Sequence, residues 1–214
     1  FELLRIHLDS GESSSLTHRD VICHPQVHPD DERWLRFGGA FRERIRVMRS
    51  DGKDCRLAYR RRPHPDGRHW EWIVHEVWRP GSMEIIAVEW PHGCIGIDVA
   101  TDTVRRVCSF NAWHPSINRQ GTWMAGDTVF PDRGIVGFDP RPGMEGKEIP
   151  LVESRAANCG DHWDTDYCPY DEGPRRIYAP QHTHPHPAFA PDGKRLFFTS
   201  GNESETWIGE VAVS

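Results

Sequence analysis

Near the carboxyl end of the 214-residue chain, the stretch QHTHPHPAF places Gln181, His182, His184 and His186 within six residues. Imidazole is the commonest metal ligand in proteins and the usual general base near neutral pH. His184 and His186 are two residues apart, so on an extended strand their side chains would point to the same side. The spacing predicts two ligands of one metal ion, to which Gln181 adds an amide oxygen. The alternative is a polar loop that is merely rich in histidine.

Composition limits the classes of partner. The formal net charge is −6, whereas nucleic-acid binders usually carry a basic stripe, so no nucleic-acid partner is expected. No apolar run approaches the roughly 18 residues of a membrane span, so no membrane partner is expected either. The six cysteines lack CxxC spacing, which favours reduced, buried thiols over a zinc knuckle. The sequence gives no indication of the oligomeric state.

The elements that must position these side chains are short β-strands. Alternating runs such as RIRVMRSDGKDCRLAY, CIGIDVATDTVRRVCSF and RLFFTSG are separated by Gly, Pro and Asp, and no long helical stripe interrupts them. Asp-Gly accepts positive φ, so SDGK, PDGR and PDGK predict hairpin turns. Thirteen histidines and nine tryptophans are unusually many, and several stand at the start of these runs.

The runs recur as a unit of roughly 40 residues, which is typical of the blades of a β-propeller. Each unit opens with a His- or Trp-containing stretch and a proline turn, and strands follow. We therefore predict an all-β chain of four-stranded antiparallel blades at about 21–70, 71–110, 111–155 and 181–214. Residues 1–20 would be the outer strands of a partial blade, and 156–180 an inserted loop.

A propeller would gather the scattered polar residues at one place. The innermost strand of each blade lines the central channel, and the residues just before it are expected at the channel mouth. The four openings carry His24 and Gln26, then His75, then His114, and finally the Gln181–His186 stretch. Two imidazoles from the last opening, one from a neighbouring blade and an amide oxygen form a set that suits Mn²⁺, Fe²⁺, Ni²⁺ or Zn²⁺. His24 and Gln26 are predicted to line the channel and contact substrate.

These residues resemble a known family, the oligogalacturonate lyases, which are seven-bladed propellers of polysaccharide lyase type. The matching stretches are HPQVHPDDERWLRF, RIRVMRSDG, HEVWRPG, WHPSINRQGTWMAGD and QHTHPHPAFAPDGKRLFFTSG, in the family's order over most of residues 20–205. The Gln-x-x-His-x-His spacing with an upstream Trp-His is specific, whereas PDGK is common in TolB-like propellers. The resemblance implies the C-terminal part of a seven-bladed propeller that lacks its N-terminal blades.

The resemblance also implies roles. His114, Gln181, His184 and His186 would form a Mn²⁺ site, and His75 would be the catalytic base. Arg44 would be a second catalytic residue, which binds the carboxylate or the glycosidic oxygen of the acidic oligosaccharide substrate, with Arg42 and Arg46 as alternatives. The implied reaction is β-elimination at the uronate C5 of short, unsaturated oligogalacturonides, in a bacterial-type cytoplasm.

Two other interpretations stay open. One is a non-catalytic TolB-like propeller that binds a protein or peptide at its channel mouth. The other is a propeller hydrolase that uses the same metal to activate water. Glycoside hydrolases usually need two paired carboxylates, and the blade openings show no obvious pair.

Overall fold

The computed structural model describes residues 1–40, 43–63, 70–128, 132–144, 146–156, 184–201 and 205–213. These residues form 17 β-strands and no α-helix. No helix in this part of the chain is long and apolar enough to cross a membrane.

The strands form a hairpin followed by four antiparallel sheets, which we call blades 1 to 4. The hairpin consists of β1 (Glu2–Ile6) and β2 (Ser13–His18). Blade 1 consists of β3 (Cys23–Val27), β4 (Trp34–Gly38), β5 (Ile45–Arg49) and β6 (Arg56–Tyr59). Blade 2 consists of β7 (Trp72–Trp78), β8 (Glu84–Trp90), β9 (Gly93–Asp98) and β10 (Thr103–Cys108). Blade 3 consists of β11 (Ser116–Ile117), β12 (Met124–Asp127), β13 (Ile135–Phe138) and β14 (Ile149–Val152). Blade 4, as far as the described residues show it, consists of β15 (Ala188–Phe189), β16 (Arg195–Gly201) and β17 (Thr206–Ala212).

Every sheet is a meander in which each strand pairs with its sequence neighbour. This is the strand order of propeller blades, so the predicted all-β propeller class is confirmed. The hairpin turns are built as the sequence predicts at two of the three Asp-Gly sites. Gly52 has φ +87° between β5 and β6, and Gly193 has φ +69° between β15 and β16. The third turn, PDGR, lies outside the described residues.

The side chains of β8 point alternately to the two faces of blade 2 and show how the blades pack. All seven of its residues are buried, because both faces of blade 2 are covered. Ile86 and Val88 point into one apolar cluster, which they share with Met124 of blade 3. Ile85 and Ala87 point into the opposite cluster, which they share with blade 1. A strand buried on both faces is nearly continuous in apolar residues rather than alternating.

The remaining interfaces follow the same rule. Leu3 and Leu16 of the hairpin pack on the Phe37 side of blade 1, and Ile135 of blade 3 packs with Leu196 of blade 4. The blades therefore succeed one another in chain order. Their first strands lie next to each other, since β3 contacts β7 and β11 contacts β15.

The positions of four histidines relative to the innermost strands differ from the prediction. The repeat predicts His24 and His75 just before these strands, but they lie inside β3 and β7. It predicts His184 and His186 on the last inner strand, but they precede β15. Pro185 and Pro187 provide the reason, because proline has no N–H to donate to a strand ladder.

Candidate metal centre and active site

Five histidines from four blades meet on or just before the innermost strands. Three of them, His24, His75 and His186, have positive φ values of 48°, 52° and 42°. His24 and His75 stand where the pairing register of β3 and β7 shifts. A bulge with such a residue turns a side chain out of its regular alternation. Strained backbone of this kind tends to be found at functional sites.

His114, His184 and His186 form the centre of this group. One ligand-type atom from each lies within 4.8 Å of the other two. His184 Nδ1 and His114 Nε2 are 3.4 Å apart, and the His114 and His186 rings stack with centroids 3.5 Å apart. Imidazole nitrogens about 2.1 Å from a common metal ion would lie roughly 3.0–3.4 Å apart. The His184–His114 distance falls in this range, and the three imidazoles together are close enough to hold a divalent metal ion.

Asp127 orients His114 within this triad. His114 lies just before β11, Asp127 ends β12, and the Asp127 side chain is fully buried. His114 Nδ1 lies 2.9 Å and 3.0 Å from the two carboxylate oxygens, and the His114 backbone N–H donates to Oδ1 over 2.9 Å. A carboxylate accepts only, so Nδ1 carries the proton and Nε2 is left bare toward His184. Histidine ligands of metals usually have such a partner.

The electrostatics favour neutral imidazoles. Burial holds the pKa of His114 well below its usual range, and the nearby His186 and His184 rings add to the shift. Burial also lowers the pKa of His186, although the Asp127 carboxylate acts in the opposite direction. Burial raises the pKa of Asp127 to about 6, which leaves it largely ionised at neutral pH. Neutral imidazoles with bare nitrogens are the form that binds metal.

His75 lies against the triad but outside it. Its ring meets His114 edge-on with centroids 4.5 Å apart, and meets Trp113 with centroids 4.7 Å apart. Trp113 in turn packs against Trp72 and Trp90. Burial lowers the pKa of His75 well below its usual value, followed by the charges of His114 and Arg44. His75 is therefore a neutral imidazole backed by an apolar wall.

Arg44 lies beside His24 and His75, where its charge contributes to the lowered pKa of both. Its guanidinium is largely buried, and its Nε donates to Glu76 Oε1 over 2.6 Å. Arg46, one alternative, pairs instead with Glu43. The other alternative, Arg42, lies outside the described residues.

Gln26 joins blade 1 to blade 2. Its side-chain oxygen accepts hydrogen bonds from Arg36 and from the Trp78 backbone N–H. Its backbone oxygen accepts from the Trp78 indole over 3.3 Å. These bonds are internal to the protein, and the substrate contact of Gln26 stays a prediction.

His24 is one of two exposed site histidines, the other being His186. The ring centroid of His24 lies 6.1 Å from that of His75. Gln181 and His182, together with the predicted inserted loop apart from residue 156, lie outside the described residues. The proposed roles of all these residues stay predictions.

Sequence reasoning missed three polar residues of the site: Arg36, Glu76 and Asp127. Asp127 ends the run TWMAGD, whose pattern predicts only a strand. Glu76 directly follows His75 in HEVW, and Arg36 stands in the strand RWLRF. A charged residue inside an otherwise buried strand was the available signal, since such residues are almost never fully buried unless paired.

The chain resembles the oligogalacturonate lyases. It is 26% identical to the oligogalacturonate lyase of Dickeya dadantii (strain 3937) over 218 residues, which is 92% of this chain and 52% of that protein. It is also 26% identical to the oligogalacturonide lyase of Pectobacterium atrosepticum over 223 residues, with the same coverage. The resemblance that the sequence motifs predict is thereby confirmed. No protein-family model matches the chain.

Solved structures show the same fold. An oligogalacturonate lyase in complex with manganese superposes with a TM-score of 0.74 at 22% identity, covering all of this chain and 54% of that one. An oligogalacturonate lyase from Vibrio parahaemolyticus gives a TM-score of 0.66 at 20% identity. TolB from Acinetobacter baumannii gives 0.53 at 16% identity. The chain spans about half the length of the lyases that it resembles.

Proposed function

We propose that this chain carries the active site of a metal-dependent lyase that cleaves short oligogalacturonides by β-elimination. The observation that carries the proposal is the meeting of His114, His184 and His186 within 4.8 Å, with His75 against the His114 ring. The similarity to proteins named oligogalacturonate and oligogalacturonide lyases supports the substrate class.

The proposed metal ligands are His114, His184 and His186, with Gln181 as a fourth. Three nitrogens and one amide oxygen suit several divalent ions, and Mn²⁺ is the ion we propose because a similar solved structure holds manganese. Bound there, the ion would neutralise a uronate carboxylate and stabilise the negative charge that builds next to it. The remaining steps belong to side chains of the protein.

His75 is the proposed base. In β-elimination the C5–H and C4–O bonds break, a C4–C5 double bond forms, and the leaving glycosidic oxygen ends protonated. A neutral imidazole is suited to accept the C5 proton, and burial keeps His75 neutral by lowering its pKa. The apolar ring of Trp113 beside it limits where water can approach.

Arg44 is the proposed substrate-binding cation. A guanidinium recognises a carboxylate through paired N–H donors more specifically than an ammonium group does. The whole chain is acidic, with a net charge of −6, so an acidic substrate requires local positive charge. Arg44, near both His24 and His75, supplies that charge next to the proposed base.

Incubating the protein with unsaturated digalacturonate, with and without added Mn²⁺, tests the proposal by mass spectrometry of the products. Elimination gives products whose masses sum to that of the substrate, whereas hydrolysis adds one water. Metal analysis of the same sample should find a bound divalent ion. Intact substrate together with no bound metal would overturn the proposal, and products that contain added water would favour a hydrolase.

A further inference from the structure

A buried carboxylate lies between two arginines beside the proposed base. Glu76 Oε1 accepts from Arg44 Nε over 2.6 Å, and Glu76 Oε2 lies 3.5 Å from Arg36 Nη1. The Glu76 side chain is fully buried, and those of Arg36 and Arg44 are 5% and 10% exposed. Two cations and one anion leave this group with one net positive charge.

Burying three charges is expensive, and stability alone is a weak reason to do it. Arg36 is held on all sides, because it also donates to the Glu76 backbone oxygen, the His24 backbone oxygen and Gln26. Burial lowers the pKa of Arg36 to about 10, against the opposing effect of Glu76. Arg36 therefore holds Glu76 in place. Glu76 directly follows His75 in β7, so this ion-pair group lies next to the proposed base.

Arg44 differs from Arg36 in having donors to spare. Its Nε binds Glu76, and its Nη1 lies 3.3 Å from Cys23 Sγ. In the described part of the chain its Nη2 has no hydrogen-bond partner. Gly38 lets the guanidinium lie close to β4, since a Cβ there would come within 3.2 Å of Arg44 Cζ and 2.5 Å of Cys23 Sγ. Glu76 therefore holds the Nε side of the Arg44 guanidinium, and Nη2 keeps its donors for another acceptor.

We propose that Glu76 is the positioning residue that holds Arg44 so that its Nη2 group donates to one particular carboxylate of a uronate substrate. This inference rests on the proposed function. It goes beyond that function by assigning Glu76 and Arg36, and by making Arg44 specific for a single carboxylate rather than a general attractor of anions.

A cycle that combines a protein variant with a substrate variant tests this role. kcat and KM are measured for wild type and Glu76→Gln with unsaturated digalacturonate and with each of its two mono-methyl esters. For the diacid, Glu76→Gln should lower kcat/KM roughly 10- to 100-fold, mainly through KM, because a charge-assisted carboxylate contact is lost. For the ester that already lacks that contact, the variant should have little effect. Equal losses on all three substrates would overturn the proposal.

Glu84→Gln is the matched control. Glu84 is another buried carboxylate of blade 2 held between two arginines, Arg79 and Arg105. Its loss should destabilise the fold without changing KM for any of the three substrates. A KM change as large as that of Glu76→Gln would overturn the proposal.

Two other outcomes also bear on the proposal. If Glu76→Gln does not fold, Glu76→Asp keeps the charge and shortens its reach, and its loss should again be confined to substrates that retain the carboxylate bound by Arg44. A uniform loss in that variant would overturn the proposal. If wild type neither binds nor cleaves the diacid, the proposed function fails and this inference fails with it. If wild type is active but Glu76→Gln loses the same activity on all three substrates, only this inference fails.

Discussion

His75 of blade 2 meets His114 of blade 3 edge-on, with ring centroids 4.5 Å apart and planes at 64°. One is the proposed base and the other a proposed metal ligand, and they come from different blades. The packing of blade 2 against blade 3 thus sets the distance between the proposed base and the proposed metal site. Their separate roles are distinguishable because only His114 belongs to the triad.

Replacing His75 and His184 one at a time should distinguish the role of the base from that of a metal ligand. In His75→Ala, the triad keeps its three nitrogens, so the bound metal should be unchanged while turnover of unsaturated digalacturonate falls about 10²-fold or more. In His184→Ala, metal and activity should fall together, because one ligand is missing. Metal analysis and initial rates on the same preparations measure both. Near-full turnover in His75→Ala would make that residue structural and direct the search for a base to His24.

Asp127→Asn tests the orientation of His114. The variant keeps the shape of the side chain but loses the ionised acceptor that holds Nδ1–H. Changes of this kind typically weaken metal affinity about 10- to 100-fold, and competition with a chelator measures the effect. Asp139→Asn is a control, since that carboxylate pairs with Arg141 away from the histidines. Unchanged affinity in Asp127→Asn would show that His114 is held by its other contacts.

The strands and turns were predictable because their signals are local. The runs around β5, β9 and β16 alternate, and Gly52 and Gly193 provide the positive φ that their turns need. The repeat in turn predicts that distant histidines meet. The innermost strands were harder to find, because β11 and β15 have two residues each and bulges at His24 and His75 break the alternation that identifies a strand.

The residues that support the site were not predictable from spacing. Glu76 is bound by two arginines that are 32 and 40 positions away in sequence. Asp127 reaches His114 because β12 returns beside the segment that precedes β11, at a separation of 13 residues. No periodicity encodes such pairs, since each depends on the tertiary approach of two strands. Four of the five site histidines directly precede proline, and this sequence signal alone indicates irregular backbone in their segments.

Ile86→Ala should show how much the packing of blade 2 against blade 3 stabilises the fold. Ile86 is fully buried between blades 2 and 3, and truncating such a side chain costs about 2–5 kcal/mol through lost burial and the cavity left behind. Val27→Ala is the control, because Val27 is 54% exposed and surface substitutions usually change stability by less than about 0.5 kcal/mol. Denaturant unfolding measures both, and similar values would contradict the packing described.

His24→Gln should flatten the dependence of stability on pH below neutrality. Burial lowers the pKa of His24, the charges of Arg44 and Arg36 lower it further, and Glu76 partly opposes the shift. Between this lowered pKa and the usual value of about 6.5, the unfolded chain binds more protons at residue 24 than the folded chain does. Stability therefore rises with pH across that window, and is lost as pH falls from about 6.5.

The size of the effect is limited because the ring is exposed. The slope of unfolding free energy against pH should decrease in His24→Gln by less than the equivalent of one bound proton, since His75, His114 and His186 also have lowered pKa values and retain their own contributions. Denaturant titrations at several pH values from about 5 to 7.5 measure the slope. Identical slopes for wild type and variant would show that residue 24 takes up its proton equally in the folded and unfolded states, which would contradict the effect of burial and of the two arginines.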